Sequence, residues 1–371
     1  MSLKTALNRY FKGDKVLLLL MVFLSTISCL AIASVSNRIG EQVLYIGLSF
    51  GSMFLFYCID YRFLSRFAYI GLIVALGVLL LTLFHGNNSR ALQIFGLNVL
   101  TFYPIGFLVV FAVAKFMAQQ LNQEASLTPK HVIVILVVML LFCGLMYRAN
   151  ASTALMLALS CFVVLYVGNL KVKYLLYMGG IVLLCGTVLF LTGVGKSGTV
   201  NSRFEKFVYA RDPFQVPPSQ EVAEYNAQAI LSQAAIAQSA LLPTGPGKGM
   251  VNKKLPKKNN DYVYAAVVEE VGIVLGILLI FFYWMIFYRA MKIAQHSEGF
   301  FGRLLSAGIG FWIACQGLVH IAVNCVLFPA TGQTLPMIST GGVSLITSGA
   351  ILGVLLNISK RNVPQKENHA R

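Results

Sequence analysis

The chain has 371 residues, 57% of them hydrophobic and only 11% charged, with a mean hydropathy of +0.76. A soluble domain carries about a quarter charged residues, so this composition excludes an ordinary cytosolic enzyme and places the chain in the membrane class. The net charge of +16 then signals basic cytoplasmic loops, and no nucleic acid is implied.

A bilayer span needs about 20 mainly apolar residues. Ten candidates follow one another at approximately 16–36, 42–60, 67–84, 104–121, 131–148, 152–169, 174–194, 265–289, 304–326 and 343–359. The first is preceded by Lys4, Arg9, Lys12 and Lys15, is long enough to span, and shows no convincing small-residue cleavage site. It reads as an uncleaved first helix. The fifth and sixth spans are split by the short polar stretch Arg148–Ser152. Links at Tyr61–Arg66, Gln119–Lys130, Asn169–Lys173 and Arg289–Arg303 hold most of the loop Lys and Arg, and both termini join them. The positive-inside rule makes that side cytoplasmic, and an even number of helices agrees. The expected fold is all-α. It is one polytopic transmembrane domain over 1–371, with a large extracytoplasmic loop at about 195–264 between helices 7 and 8 and a cytoplasmic tail from about 360. The seven cysteines form no ligand spacing and read as small buried hydrophobes.

The large loop breaks the charge rule. Between Lys196 and Asp261 nine Lys or Arg face five acids, and five lysines with no acid fall within Lys248–Lys258. Long loops translocate largely regardless of charge, so the topology stands. The basic strip reads either as a solvated, anionic-lipid-attracting surface or as a cradle for a phosphorylated lipid substrate. Arg211–Gln220 is too rich in proline to be helical throughout. Ser219 is placed to cap a helix over Glu221–Leu242, with Ile230, Ala234, Ala237 and Leu241 on its apolar face and Gln228, Ser232, Ala235 and Ser239 on another. TGPGKG (Thr244–Gly249) is a flexible, phosphate-friendly turn but not a Walker motif.

Asp261 stands beside the lysine strip at the mouth of a span. It reads as a helix N-cap or as a catalytic acid or base, and pattern alone favours the cap. Glu269 and Glu270 lie about two and a half turns deeper, where acids are costly unless paired or facing a polar cavity; lysines 253, 254, 257 and 258 are candidate partners. His320, alone in the ninth span, reads as a hydrogen-bonded packing residue. The last outer loop, Asn324–Gly342, carries prolines, glycines and hydroxyls. Irregular backbone at a membrane is tolerated where it is buried in protein or lines a cavity, so this loop is expected to wall the same site, with Gly341 and Gly342 allowing close approach of a ligand or helix.

Two segments now carry a resemblance. GPGKGMVNKKLPKKNNDYVYAAVVEEVGIVLG (Gly245–Gly276) and PATGQTLPMISTGGVS (Pro329–Ser344) resemble, in order and spacing, the signatures of the SEDS proteins, named for shape, elongation, division and sporulation. The opening NRYFKGDKV is similar to the division branch. The resemblance implies a peptidoglycan glycosyltransferase that uses lipid II as donor and acceptor, inverting the donor anomeric carbon as undecaprenyl pyrophosphate leaves. It implies Asp261 as catalytic, either as general base or as ligand of a divalent cation (magnesium or manganese), with no other cofactor. It implies substrate contacts from Arg203, Gln228, Lys248, Lys253, Lys254, Thr331, Ser339, Gly341 and Gly342, and support from Pro256, Glu269, Glu270 and Pro336. Implied partners are a class B penicillin-binding protein transpeptidase and other divisome membrane proteins. The N-terminal half departs from the pattern. Where relatives carry QPSE-x-x-K, this chain has Tyr103-Pro104-Ile105-Gly106 and Val109, and where many read PDxGTA it has Ala149–Ala154. Altered donor binding, greater dependence on the partner, or weak activity are the alternatives this leaves. A lipid II flippase and a division scaffold are the rival functions.

Overall fold

The computed structural model describes residues 12–35, 39–85, 91–94, 97–124, 127–191, 206–210, 220–239, 245, 247–249, 254–255 and 260–362. The membrane helices are α1 (Lys15–Val35), α2 (Ile39–Cys58), α3 (Ala68–His85), α4 (Phe102–Gln123), α5 (Pro129–Tyr147), α6 (Ala151–Val167) and α7 (Val172–Leu191). After the large loop and its helix α8 (Gln220–Ala237) come a short helix α9 (Val263–Val271), then α10 (Ile273–Gln295), α11 (Phe300–Asn324) and α12 (Gly342–Arg361). Among the described residues nine helices are long and apolar enough to cross a membrane, and α6, at 17 residues, is a shorter apolar one. The all-α expectation holds for the membrane body. A small antiparallel hairpin, β1 (Ala91–Ile94) with β2 (Leu97–Leu100), pairs Ala91 with Leu100 in the outer loop before α4.

Local chemistry sets several boundaries. The Asp14 carboxylate accepts the Val16 and Leu17 N–H groups, capping α1, and also receives Arg289 from α10 at 2.7 Å. Pro129 opens α5, where its missing N–H costs nothing. One boundary corrects the sequence reading: the eighth span does not run from 265. Gly272, at φ +95°, breaks the helix, so residues 263–271 form the separate buried helix α9 and the span starts at Ile273. Only glycine adopts that backbone without strain.

The core is built on α4, α11 and α12, whose apolar windows are 72%, 78% and 83% buried, while α7 is 6% buried and turns Leu176, Tyr177, Leu183 and Leu184 outward. Small residues let the central helices touch. A Cβ on Gly349 would lie 2.2 Å from the Ser49 carbonyl of α2, and one on Gly106 of α4 would meet the Trp312 ring of α11 at 2.3 Å. The described ends of the chain, Lys12 and Asn362, lie at one end of the bundle: the Tyr57 hydroxyl donates to the Lys12 carbonyl, and Asn357 in the last turns of α12 donates to the Tyr57 carbonyl.

Candidate active site

At the opposite end the described parts of the large loop and the closing loop Asn324–Gly342 form one assembly. Helix α8 packs against both. Ala235 joins Leu255, Tyr262 and Ala265 in one small apolar cluster, and Ala229 joins Phe207, Ala210 and Val326 in another. The buried face of α8 is the one bearing Ser232 and Ala235, while Ile230 is 46% exposed and Ala237 is exposed too. The expected apolar face is thus turned outward. Packing of small residues, rather than side-chain hydrophobicity, decides which side of this helix goes in. Ser219 and Leu241 lie outside the described residues.

The Asn260–Asp261 peptide is fastened from two sides. Asn324, fully buried at the end of α11, donates from its amide to the Asp261 carbonyl at 3.0 Å and to the His320 carbonyl at 2.9 Å. Its side-chain oxygen accepts the Ala265 N–H of α9 at 3.1 Å. Its own backbone carbonyl accepts the Ser232 hydroxyl of α8 at 2.8 Å. From the other side, Ser339 donates to the Asn260 carbonyl at 3.2 Å and Thr340 to the Asn260 side chain at 2.6 Å. The capping reading of Asp261 is not what forms: the residue at the N-cap of α9 is Tyr262, and Asn324 satisfies the first-turn N–H of Ala265 instead. The Asp261 side chain is half-buried.

Two buried tyrosines flank it. Burial pushes the Tyr225 hydroxyl up from its ordinary value, although it also accepts the Ala330 N–H. Burial pushes Tyr262 up further, with Tyr225 and the Asp261 charge adding to it. Both hydroxyls remain neutral at any working pH.

The closing loop is held tightly enough to serve as a wall. Ser339 accepts the Leu335 N–H at 2.8 Å, Tyr283 donates to the Pro336 carbonyl at 2.6 Å, and Ser28 to the Ile338 carbonyl at 2.9 Å. These bonds hold Met337 at φ +65°, a conformation that L residues with side chains adopt only under constraint. Thr331 is buried and its carbonyl accepts Asn150 at 3.3 Å. Gly341 precedes α12, and a Cβ on Gly342 would strike the Tyr45 ring at 2.4 Å. The close approach at this glycine is thus by helix α2.

Of the other anticipated residues, Gln228 is half-buried on α8, and Glu269 and Glu270 are buried in the last turns of α9. The glycine turn docks there: the Gly245 N–H donates to the Glu270 carbonyl at 3.1 Å, with Gly245 and Gly247 at positive φ. Lys248 and Lys254 are exposed. A nine-residue helix is about 13 Å long, so the Lys248 turn sits at the far end of α9 from Asp261 rather than beside it. Arg203, Lys253 and Pro256 lie outside the described residues, as do Lys257 and Lys258.

Beneath the closing loop is a cavity of ≈ 40 Å³ lined by Tyr103, Asn150, Thr153, Gln316, Gln333, Thr334 and Ser344, among others. That is room for a few waters and far below the several hundred Å³ of a small-molecule pocket, so a sugar is not enclosed there. Its lining is neutral. The divergent N-terminal segments supply it: Tyr103 stacks on Trp312 at 5.8 Å and hydrogen-bonds Ser348, Gly106 is pressed on the same indole, and Val109 is fully buried. At the positions where the resemblance implied an acid and a base, aromatic and apolar packing fills the space. Asn324 and Gln316 are the polar residues whose roles sequence reasoning missed; a lone Asn or Gln in an apolar run was the available signal.

The described residues contain no cluster of three or more His, Cys, Asp or Glu able to hold a metal.

The chain matches a family model described as cell cycle protein, covering FtsW, RodA and SpoVE, over residues 14–363. It is similar to stage V sporulation protein E of Bacillus subtilis, 25% identical over 332 residues and 86% of each chain. It is similar also to the probable peptidoglycan glycosyltransferase FtsW of Trichlorobacter lovleyi, 27% identical over 374 residues, 95% of this chain and 94% of that one. Among solved structures it shares its fold with RodA of Thermus thermophilus, at TM-score 0.67 and 20% identity over 96% of this chain and all of that one. A chain from work on a peptidoglycan synthase complex that coordinates polymerization and crosslinking aligns at TM-score 0.76 and 22% identity, with the same coverage.

Proposed function

This chain belongs to the FtsW, RodA and SpoVE family of cell cycle proteins and is a peptidoglycan glycosyltransferase; on that premise we propose that Asp261 is its catalytic residue, polymerising lipid II during cell division. The observation that carries this is the double fastening of the Asn260–Asp261 peptide by Asn324 and by Ser339 and Thr340. A general base must be held within about 3 Å of the proton it takes, and fixing its backbone from two independent elements is how a fold achieves that.

In the proposed step the acceptor sugar's 4-hydroxyl attacks the donor anomeric carbon. The new C–O bond forms as the bond to undecaprenyl pyrophosphate breaks, with inversion, and the hydroxyl proton passes to the Asp261 carboxylate. The departing pyrophosphate needs electrostatic stabilisation, and Arg203, Lys248, Lys253 and Lys254 are the groups assigned to it. Asp261 would also suit as the carboxylate ligand of a magnesium or manganese ion, which needs only one or two protein carboxylates, and such an ion would supply charge neutralisation.

The basic end of the bundle is assigned to the cytoplasm of a bacterial inner membrane, with both termini on it. A class B penicillin-binding protein is the proposed partner, with other divisome proteins alongside. The test is polymerisation of lipid II by the purified protein, with and without that partner, comparing wild type with Asp261→Ala and Asp261→Asn. Loss of glycan polymer with membrane insertion intact is expected. Full activity in both variants would remove Asp261 from the mechanism, and movement of lipid II across proteoliposomes without elongation would favour a flippase.

A further inference from the structure

We propose that the basic end of the bundle carries a binding pocket for the phosphate-bearing headgroup of an anionic phospholipid, built around Lys171 and Arg303. A cavity of ≈ 190 Å³ opens there where the C-terminal end of α4, the start of α5, the α6–α7 turn and the first turn of α11 converge. Leu121, Leu127, Leu170 and Phe300 form its apolar walls, and Tyr174 with the two cations its polar lining. Neither cation has an acidic partner among the described residues. Ion pairs at this end join Asp14 to Arg289 and Asp60 to Arg361, and Glu124 at the end of α4 faces His131. The Arg303 Nε is buried with no hydrogen-bond partner, and the guanidinium carbon lies 5.7 Å from the Phe300 ring centroid.

A buried guanidinium N–H left unpaired is costly, so the pocket is shaped for an acceptor that the chain does not supply. Arg is suited to planar, bidentate recognition of phosphate, and Lys adds a flexible point charge. The volume is below that needed to enclose a drug-sized ligand, so it takes a small head while the remainder of the ligand stays outside. The helices that form the pocket are membrane-spanning, and α7, which starts there, turns Leu176 and Tyr177 outward. Acyl chains therefore have an apolar surface beside the head, which a soluble phosphate would not use. The shared chemistry is a phosphate monoanion or diester; the apolar surroundings assign it to lipid.

The test uses the full chain purified in detergent and examined by native mass spectrometry after exchange with phosphatidylcholine vesicles, with or without phosphatidylglycerol. Wild type is expected to retain phosphatidylglycerol in preference to phosphatidylcholine. Arg303→Gln should weaken that retention about tenfold or more, the worth of a charge-assisted hydrogen bond, and the exposed Lys171→Gln by less. Lys292→Gln, at the same end but outside the pocket, should leave it unchanged. Should Arg303→Gln fail to fold, Lys171→Gln carries the comparison alone. Equal retention by wild type and pocket variants, or equal loss in Lys292→Gln, would overturn the proposal. Stabilisation by inorganic phosphate but not by phosphatidylglycerol would assign the pocket to a soluble phosphate and overturn the lipid reading.

Discussion

The two ends of this bundle handle polarity in opposite ways. At the end bearing the large loop the Asn260–Asp261 peptide is held by neutral groups, Asn324 and the Ser339–Thr340 hydroxyls, whose hydrogen bonds fix the backbone. At the inner end Lys171 and Arg303 share a pocket without an acid, and the charges themselves are the lining. The contrast separates two uses of a polar group in a membrane protein. A neutral hydrogen bond positions a neighbour at modest net stabilisation, whereas an uncompensated charge calls for a ligand of opposite sign.

Mutations at each end test that contrast. The largest effect is expected from Asp261→Ala: a loss of polymerisation of about 10²–10⁴-fold, the usual contribution of a general base, measured as glycan formed per enzyme. Next comes Asn324→Ala, which leaves the buried Asp261 carbonyl and Ala265 N–H short of a partner, at about 1–3 kcal/mol for each unmet group. Its kcat should fall about 10–100-fold with KM little changed, because misplacement of a catalytic group acts on the reacting geometry. An unchanged kcat would show that the clasp is architectural only. Ser339→Ala removes two neutral hydrogen bonds, to the Asn260 carbonyl and from the Leu335 N–H, each worth about 0.5–1.5 kcal/mol, and a decrease of a few-fold in the same assay is expected. Smallest is the effect of Lys171→Gln on polymerisation in detergent, expected within about twofold as for other exposed substitutions; a large loss there would couple the inner pocket to the outer site and dissolve the distinction between the ends.

Much of the membrane body could be read directly. Apolar length alone gives ten spans, and the helices found at 15–35, 102–123, 129–147, 300–324 and 342–361 begin and end within a few residues of the expected ones. The lipid bilayer makes this possible, because every backbone polar group within it must be satisfied inside a helix. The break at Gly272 escaped because glycine in an apolar run is common in membrane helices, and only its φ of +95° distinguishes a break from a packing position. The orientation of α8 escaped because its buried face is made of alanine and serine, so hydrophobicity carries no signal.

The sequence by itself determined the class of protein, the positions of most of its apolar helices, the basic end and the place of Asp261 beside a lysine-rich strip. These follow from transfer energies and from local residue order, both of which are properties of the chain. Only the tertiary structure decided what surrounds that aspartate. Asn324 lies 63 positions from Asp261 and Ser339 lies 79 from Asn260, and no local pattern marks which buried amide or hydroxyl will meet which carbonyl. The same holds for Lys171 and Arg303, unremarkable loop-end cations until four helices bring them into one pocket. Long-range pairing of polar groups is set by how the helices pack, and packing here is chosen by glycines whose missing side chains leave no hydrophobic trace.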